Sequence, residues 1–398
     1  MRRLLAVVSV TVFADAMLFS AIVPLVPVLS DTYDLSKTGA GVLVAAYGAG
    51  AVVAGIPSGV FASRIGPKRT VVIGLLVLAV STLAFSLGES AAALGAARFA
   101  QGVASAITWC GALAWLTLAT PRDQRGKAVG TVFSIAVLGF IVGPAIGAIA
   151  ELTSLRGTFM MIAGLTVLVA LFAASSPAGQ PEEQPPEALR RILKNRGFFA
   201  ALWLVLVPSL FLGVLDLLVP LSLDDANWGT IAIAATFIAA GLSEVILAPL
   251  IGSFSDRRGR LVPVRAGLLL MGITGMAFAA LDTAYAIAAL VIVASIAASL
   301  IFSPSAALIS DRGEEAEIPQ TLAFGFMNTA WAGGVMLGPV LGGAIADALG
   351  DAGPYVLGAA LAFITAGSLR GVTSTRGTVA EPAADSSSEA RERASGAS

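Results

Sequence analysis

Long apolar stretches recur through most of this chain, broken only by short polar segments, and few folds can accommodate that pattern. A hydrocarbon core of about 30 Å takes about 20 apolar residues of helix to cross. Twelve stretches of that size can be counted, at approximately 4–29, 39–62, 70–88, 91–119, 127–150, 157–175, 198–222, 230–254, 261–281, 284–308, 321–346 and 352–370. Charged residues make up 12% of the chain and hydrophobic ones 57%, with a mean hydropathy of +0.89. A soluble domain carries about 25% charged residues, so most of this surface is expected to face lipid. Met1-Arg2-Arg3 ahead of an apolar run has the look of a signal peptide. The run continues to about Leu29 with no clear small-residue cleavage site, and more such runs follow, so it reads as the first span.

Three motifs then occur twice at nearly constant spacing. Gly139-Phe-Ile-Val-Gly143-Pro144-Ala-Ile-Gly147 matches Gly334-Val-Met-Leu-Gly338-Pro339-Val-Leu-Gly342. Gly59-Val-Phe-Ala-Ser63-Arg64-Ile-Gly66 matches Gly252-Ser-Phe-Ser-Asp256-Arg257-Arg-Gly259, and Val23-Pro24-Leu25 matches Val219-Pro220-Leu221. The offset is about 194 residues each time, so the chain is two copies of one unit. Repeated helical halves with a site near the bilayer midplane between them are how many secondary transporters are built. The expected fold is an all-α integral membrane protein with 12 transmembrane helices in two pseudo-symmetric six-helix halves, spanning 1–175 and 198–371.

The positive charges orient these spans. Of 24 Lys and Arg, only Lys37 and Arg156 fall in odd-numbered loops, and Arg98 lies inside the fourth span. The rest, including Arg64, Lys68, Arg69, Arg122, Lys127, Arg257 and Arg260, lie in even-numbered loops or at the ends of the chain, while odd loops carry acids such as Asp31, Glu89, Asp282 and Asp351. Positive residues stay cytoplasmic, so both termini are expected inside, with the protein in the cell membrane. Between the halves, 176–197 opens with a Pro/Glu-rich run and ends in Leu189-Arg190-Arg191-Ile192-Leu193-Lys194, which reads as a basic amphipathic helix on the inner membrane surface. The tail 372–398 has the Ser/Ala/Glu/Arg composition of a disordered segment.

Twelve spans, an internal repeat and a basic linker suggest the major facilitator superfamily, and the motifs make that resemblance specific. Gly252-x3-Asp256-Arg257-x-Gly259-Arg260 is similar to its loop signature, and Arg98-Phe-Ala-Gln101-Gly102 to its second motif. Gly139-x3-Gly143-Pro144-x2-Gly147 resembles the "antiporter" motif of drug–proton exporters. Within that group the chain is most similar to the vesicular amine transporter type, through Asp15-Ala-Met17-Leu18 with Pro24 and Pro27, Leu215-Asp216 with Pro220, and Gly338-Pro339 with Gly342-Gly343. There are departures. Ser63 stands where the family has an acid that helps latch the halves on the cytoplasmic side, and Asn328 and Ser299 stand where vesicular amine transporters carry membrane acids.

An ionisable group at mid-membrane is costly and therefore a functional candidate. Asp15, Asp216, Glu244 and Arg98 qualify. A carboxyl among apolar helices favours its protonated form, and a cation beside it favours the charged form and expels the proton, which is proton–substrate exchange at its simplest. Asp15 and Asp216 are the expected proton or cation sites, Glu244 a second protonation site, and Arg98 the group that tunes them. Each has a structural alternative: the acids can hydrogen-bond a neighbouring helix, Glu244 can pair with Arg98, and Arg98 can serve as a packing hub on backbone carbonyls. Met17, Gln101, Trp109, Phe140, Asn328 and Trp331 are candidates for an apolar, cation-π-capable substrate cavity. Gly143, Pro144, Gly147, Gly338 and Pro339 are read as packing and kink residues, with the first three shaping a tight contact between the halves. Gly59, Arg64, Gly66, Gly252, Asp256, Arg257 and Gly259 form the conformational loop motif.

With no His and no phosphate-binding loop, enzyme, metal-site and ATPase chemistry are not expected, and the net charge of −1 offers nothing to nucleic acid. The lone Cys110 forms no intrachain disulfide. The expectation is proton-coupled export of a small lipophilic compound that can be cationic. The proton is the coupling ion, no cofactor is needed, the chain acts as a monomer, and its partners are a small-molecule substrate and lipid. Efflux of a neutral metabolite, using Gln101, Asn328 and Thr108, is the alternative within transport. A non-transporting receptor or scaffold is the alternative outside it.

Overall fold

A computed structural model describes residues 2–121, 124–177, 192, 194–318 and 320–369. Inside lipid the chain must satisfy its own backbone groups, and the described residues do so with helices alone. The first span is α1 (Arg2–Ser20) and α2 (Val26–Thr32), joined by a 3-10 turn at Val23–Leu25. The first half continues with α3 (Lys37–Ile65), α4 (Pro67–Ser86), α5 (Ala91–Ala119), α6 (Arg125–Leu152) and α7 (Leu155–Ala174). The second half consists of α8 (Arg196–Asp225), α9 (Thr230–Arg258), α10 (Leu261–Ala280), α11 (Ala284–Glu315), α12 (Gln320–Leu349) and α13 (Ala352–Ser368). Among the described residues eleven spans are long and apolar enough to cross a membrane; α13 is apolar with 17 residues, roughly 26 Å of helix at 1.5 Å per residue.

Local sequence explains where the helices start and stop. Ser36, Ser90, Ser154 and Asn195 cap α3, α5, α7 and α8, each side-chain oxygen accepting from a backbone N–H three residues on. The loop motif ends in Gly66 and Gly259, which stop α3 and α9 with φ of 88° and 86°, backbone that residues with a Cβ rarely adopt. This accounts for a glycine at the same point of both copies.

The first span, expected over 4–29, runs over Arg3–Thr32 and is broken within. Pro24 has no N–H for the Ser20 carbonyl, so α1 ends there and the chain turns through Val23–Leu25 before α2 resumes. Arg265, grouped with the loop charges from sequence, sits in the second turn of α10. The amphipathic helix assigned to 189–194 lies mostly outside the described residues, as does the tail 372–398.

The helices pair in the same way in both halves. In the first, α6 packs on α1, α7 on α4 and α5 on α3; in the second, α12 packs on α8, α13 on α10 and α11 on α9. The Gly-Pro motif makes the first of these pairings, which corrects the expectation that Gly143, Pro144 and Gly147 shape the contact between halves. A Cβ on Gly143 would lie 2.0 Å from Ser20 Oγ and 2.5 Å from the Met17 carbonyl, and one on Gly338 would lie 2.3 Å from the Leu210 carbonyl. Glycines four apart form a flat ridge on one helix face, and that ridge is turned toward α1 or α8 of the same half.

The halves meet chiefly through α3 against α12 and α6 against α9. At the end bearing Lys37 and Asp351 the contact is tight: a Cβ on Gly41 would come within 2.3 Å of the Pro339 carbonyl, and one on Gly343 within 2.3 Å of the Lys37 carbonyl. Across the same seam Lys37 pairs with Asp351, and Asp347 accepts from the Thr38 N–H at 2.8 Å and hydroxyl at 2.6 Å. At the arginine-rich end Gly59, Gly130, Gly252 and Gly325, on those same four helices, have open space where a Cβ would stand. The halves are therefore closed on each other at the acidic end, and these four glycines make no such contact at the basic end.

Candidate functional site

The break in α1 builds the site. Carbonyls at a helix end lose their intrahelical donors and must find others. Met17 keeps the Ala21 N–H at 3.0 Å, while Arg98 Nη1 and Nη2, reaching from α5, donate to the carbonyls of Leu18 at 3.0 Å and Phe19 at 3.2 Å. Nη1 also donates to Gln101 Oε1 at 3.1 Å. The guanidinium lies over the Tyr47 ring, 4.8 Å from its centroid, a cation–π contact in a dry setting. Arg98 thus packs on backbone carbonyls and also faces Asp15 electrostatically, and the pairing of Glu244 with Arg98 is corrected, because these partners all lie in the first half.

Asp15 lies one turn before the break and is 2% exposed. Three donors converge on it from two other helices: the Tyr47 hydroxyl of α3 reaches Oδ1 at 2.9 Å, while the Ser105 hydroxyl and Trp109 indole N–H, both of α5, reach Oδ2 at 2.8 Å. An ionised carboxylate only accepts, and this arrangement meets it with donors alone. Ser105 and Trp109 reach one oxygen together because residues four apart share a helix face.

Toward the second half the site is aromatic. Phe19 contacts Tyr47 at 5.1 Å, Phe140 at 5.6 Å and Trp331 of α12 at 5.1 Å between ring centroids. Trp109 faces Phe133 of α6 at 5.4 Å, and Phe133 faces Phe324 of α12 at 6.0 Å. These rings cross from one half to the other and, apart from buried Tyr47, are half-buried. The rings, Phe140 and Trp331 around Phe19 and Trp109 and Phe324 around Phe133, are therefore the candidate space; Met17 packs against the cluster of Leu18 and Ala21, and Asn328 on α12 is half-buried with no hydrogen-bond partner among the described residues. Gln101 is not brought to this space. It is 1% exposed, with its amide carbonyl on Arg98 and its amide NH2 on Thr82 Oγ1 at 3.1 Å. Thr108 is likewise fully buried and bonds its own helix.

Asp216 on α8 and Glu244 on α9 are half-buried and form a second acidic locus. Glu244 lies beside Ser295 of α11 and within electrostatic reach of Asp216, whereas the groups acting on Asp15 all belong to its own half. Asp216 has no hydrogen-bond partner among the described residues.

The loop motif makes no ion pair between the halves among the described residues. Ser63 bonds the Val60 carbonyl at 2.9 Å, and Asp256 and Asp311 both pair with Arg260 at 3.2 Å within the second half. A groove of about 850 Å³ between α4 and α5 lies on the outer face of the bundle, away from Asp15.

Sequence reasoning missed Phe19, Tyr47, Ser105, Phe133 and Phe324. Tyr47 left one signal: of the four tyrosines it alone falls in the middle of a span, where a hydroxyl needs a partner.

Two repeated six-helix halves around a buried carboxylate and an aromatic space define a multi-pass membrane protein with the build of a secondary transporter. The Major Facilitator Superfamily model matches residues 8–318 and 237–394, and the chain belongs to that family, whose members are transporters of small molecules in a lipid environment rather than enzymes. Multidrug resistance protein 1 of Bacillus subtilis is 27% identical over 237 residues, covering 57% of this chain and 61% of that protein. The synaptic vesicular amine transporter of Homo sapiens is 23% identical over 305 residues, covering 73% of this chain and 58% of that protein. The chain thus spans about three fifths of the length of these relatives. A bacterial homologue of the human lysosomal transporter Spinster, solved inward-facing and unoccupied, has the same fold with a TM-score of 0.76, 14% identity and coverage of 92% of this chain and 95% of that one.

Proposed function

We propose that this protein sits in the cell membrane with both termini in the cytoplasm and exports small lipophilic compounds, cations among them, in exchange for protons. The observation that carries this reading is the Asp15 carboxylate, held by Tyr47, Ser105 and Trp109 beside an aromatic space that bridges the halves. A carboxyl can hold a proton or a neighbouring cation, and each displaces the other. Aromatic faces suit flat apolar bodies and attract cations. Substrate enters from the basic end, which the excess of Lys and Arg assigns to the cytoplasm. Rocking of the halves then exposes it on the other side, where it leaves as Asp15 takes up a proton. Asp216 and Glu244 provide a second proton site in the other half. Relatives named for multidrug resistance and for vesicular amines lend support. A neutral-metabolite carrier is less well served, because Gln101 and Thr108 are committed to bonds inside one half.

The test is purified protein in liposomes holding a pH-sensitive dye, challenged with tetraphenylphosphonium, ethidium and neutral lipophilic drugs. Proton movement that depends on one of these compounds and is lost in Asp15→Asn is the expected result. Proton movement that persists unchanged in Asp15→Asn overturns the role of Asp15.

A further inference from the structure

Asp15 offers its two oxygens unequally. Oδ2 already accepts from Ser105 and Trp109, one donor for each of its lone pairs, whereas Oδ1 accepts from Tyr47 alone and keeps one lone pair free. An arriving proton therefore settles on Oδ1, the oxygen bonded to Tyr47. The Trp109 indole can only donate, but the Tyr47 hydroxyl both donates and accepts. Protonation turns the Tyr47 bond from a charge-assisted one into a neutral one of roughly half the strength, or rotates the hydroxyl so that it accepts from Oδ1–H.

The same phenol ring lies under the Arg98 guanidinium and against the edge of Phe19. Arg98 holds the Leu18 and Phe19 carbonyls, and the Phe19 ring meets Trp331 of the second half. Tyr47 is thus the side chain that touches the carboxyl, the buried arginine and the ring forming the contact between halves. We propose that Tyr47 is a positioning residue that transmits the protonation state of Asp15 to the Phe19–Trp331 contact, and so couples the proton to the opening of the two halves. The inference rests on Asp15 as the proton site. The titratable or charged groups facing that carboxyl are Tyr47 from α3 and Arg98 from α5; α6 turns glycines and Phe140 to this part of α1.

The test needs no transported ligand. In full-length protein carrying Cys110→Ala, spin labels on Glu89→Cys and Asp282→Cys, both exposed loop positions at the acidic end in different halves, report the distance between halves. In the parent, the ratio of open to closed populations at that end is expected to change at least tenfold between pH 5 and pH 8. Tyr47→Phe keeps the ring, its cation–π contact and its packing on Phe19 but removes the hydroxyl, and is expected to flatten that response to less than threefold. A parent with no pH response refutes Asp15 as the coupling site. A parent that responds and a Tyr47→Phe variant that responds equally refute the role of Tyr47 while leaving Asp15 standing. If Tyr47→Phe does not fold, 3-fluorotyrosine incorporated at the four tyrosines of the parent replaces it. The fluorine resonance of Tyr47, assigned by replacing the other three with Phe, must then shift over the same pH interval as the distance, and a resonance that stays fixed overturns the proposal.

Discussion

Replacing Gly41 with Ala bears directly on how the two halves are held closed at the acidic end. The added Cβ would stand 2.3 Å from the Pro339 carbonyl oxygen, 2.9 Å from its carbon and 3.2 Å from Leu217 Cδ2. Two of these neighbours are backbone, which cannot swing away as a side chain can, so α12 must retreat by roughly 1 Å, and overpacking of this kind costs about 1–3 kcal/mol. On the proposed rocking of the halves, α3 and α12 separate at that end, so the cost falls on the state described here alone. The better helix propensity of Ala over Gly acts on both states and cancels. A penalty of 1–3 kcal/mol on one state shifts a two-state ratio by about 5- to 150-fold. Spin-label distances between Glu89→Cys and Asp282→Cys would show the open population at the acidic end rising at least fivefold. Gly267→Ala is the contrast: its Cβ would lie 2.7 Å from the Ala297 carbonyl, wholly within the second half, so it should lower thermal stability without shifting the ratio. Should Gly41→Ala leave the distances unchanged while only the melting temperature falls, the α3–α12 contact is not specific to one state and the reasoning fails.

Two further outcomes are expected. Gln101→Ala should lower thermal stability by about 1–3 kcal/mol, because it strands a buried donor on Arg98 and a buried acceptor on Thr82; transport KM should stay within twofold, since the amide does not face the aromatic space, and a large rise in KM would return it to the substrate site. Reversing Lys37→Asp should open the acidic end by no more than about fivefold, as expected for a partly exposed pair worth about 0–1 kcal/mol. Adding Asp351→Lys should restore closure, and a double variant no better than the single one would show that the pair does not help hold the seam.

Much of the candidate site was visible in the chain because charge is rare within it. Asp15, Arg98, Asp216 and Glu244 stand out against apolar surroundings, and they are the groups that the structure buries or half-buries among the helices. The aromatic partners were harder to find, since Phe19, Phe133 and Phe324 are three of 19 phenylalanines. A helix that is apolar on every side carries no amphipathic stripe to say which face turns inward. For the same reason the glycine ridge of the Gly-Pro motif could be recognised but not aimed, and it proved to face its own half.

Sequence alone determined the solvent, the number of spans, the duplication and the polarity of the two ends. Each follows from a contrast that lipid enforces: apolar against charged, short loop against long run, basic end against acidic end. Only the tertiary structure decided which oxygen of Asp15 meets Tyr47, why a buried arginine is needed where Pro24 breaks α1, and which end of the seam is closed. These depend on how helices rotate about their axes and how closely glycine lets them approach, and close packing settles those quantities without leaving a periodic mark in a chain that is apolar all round.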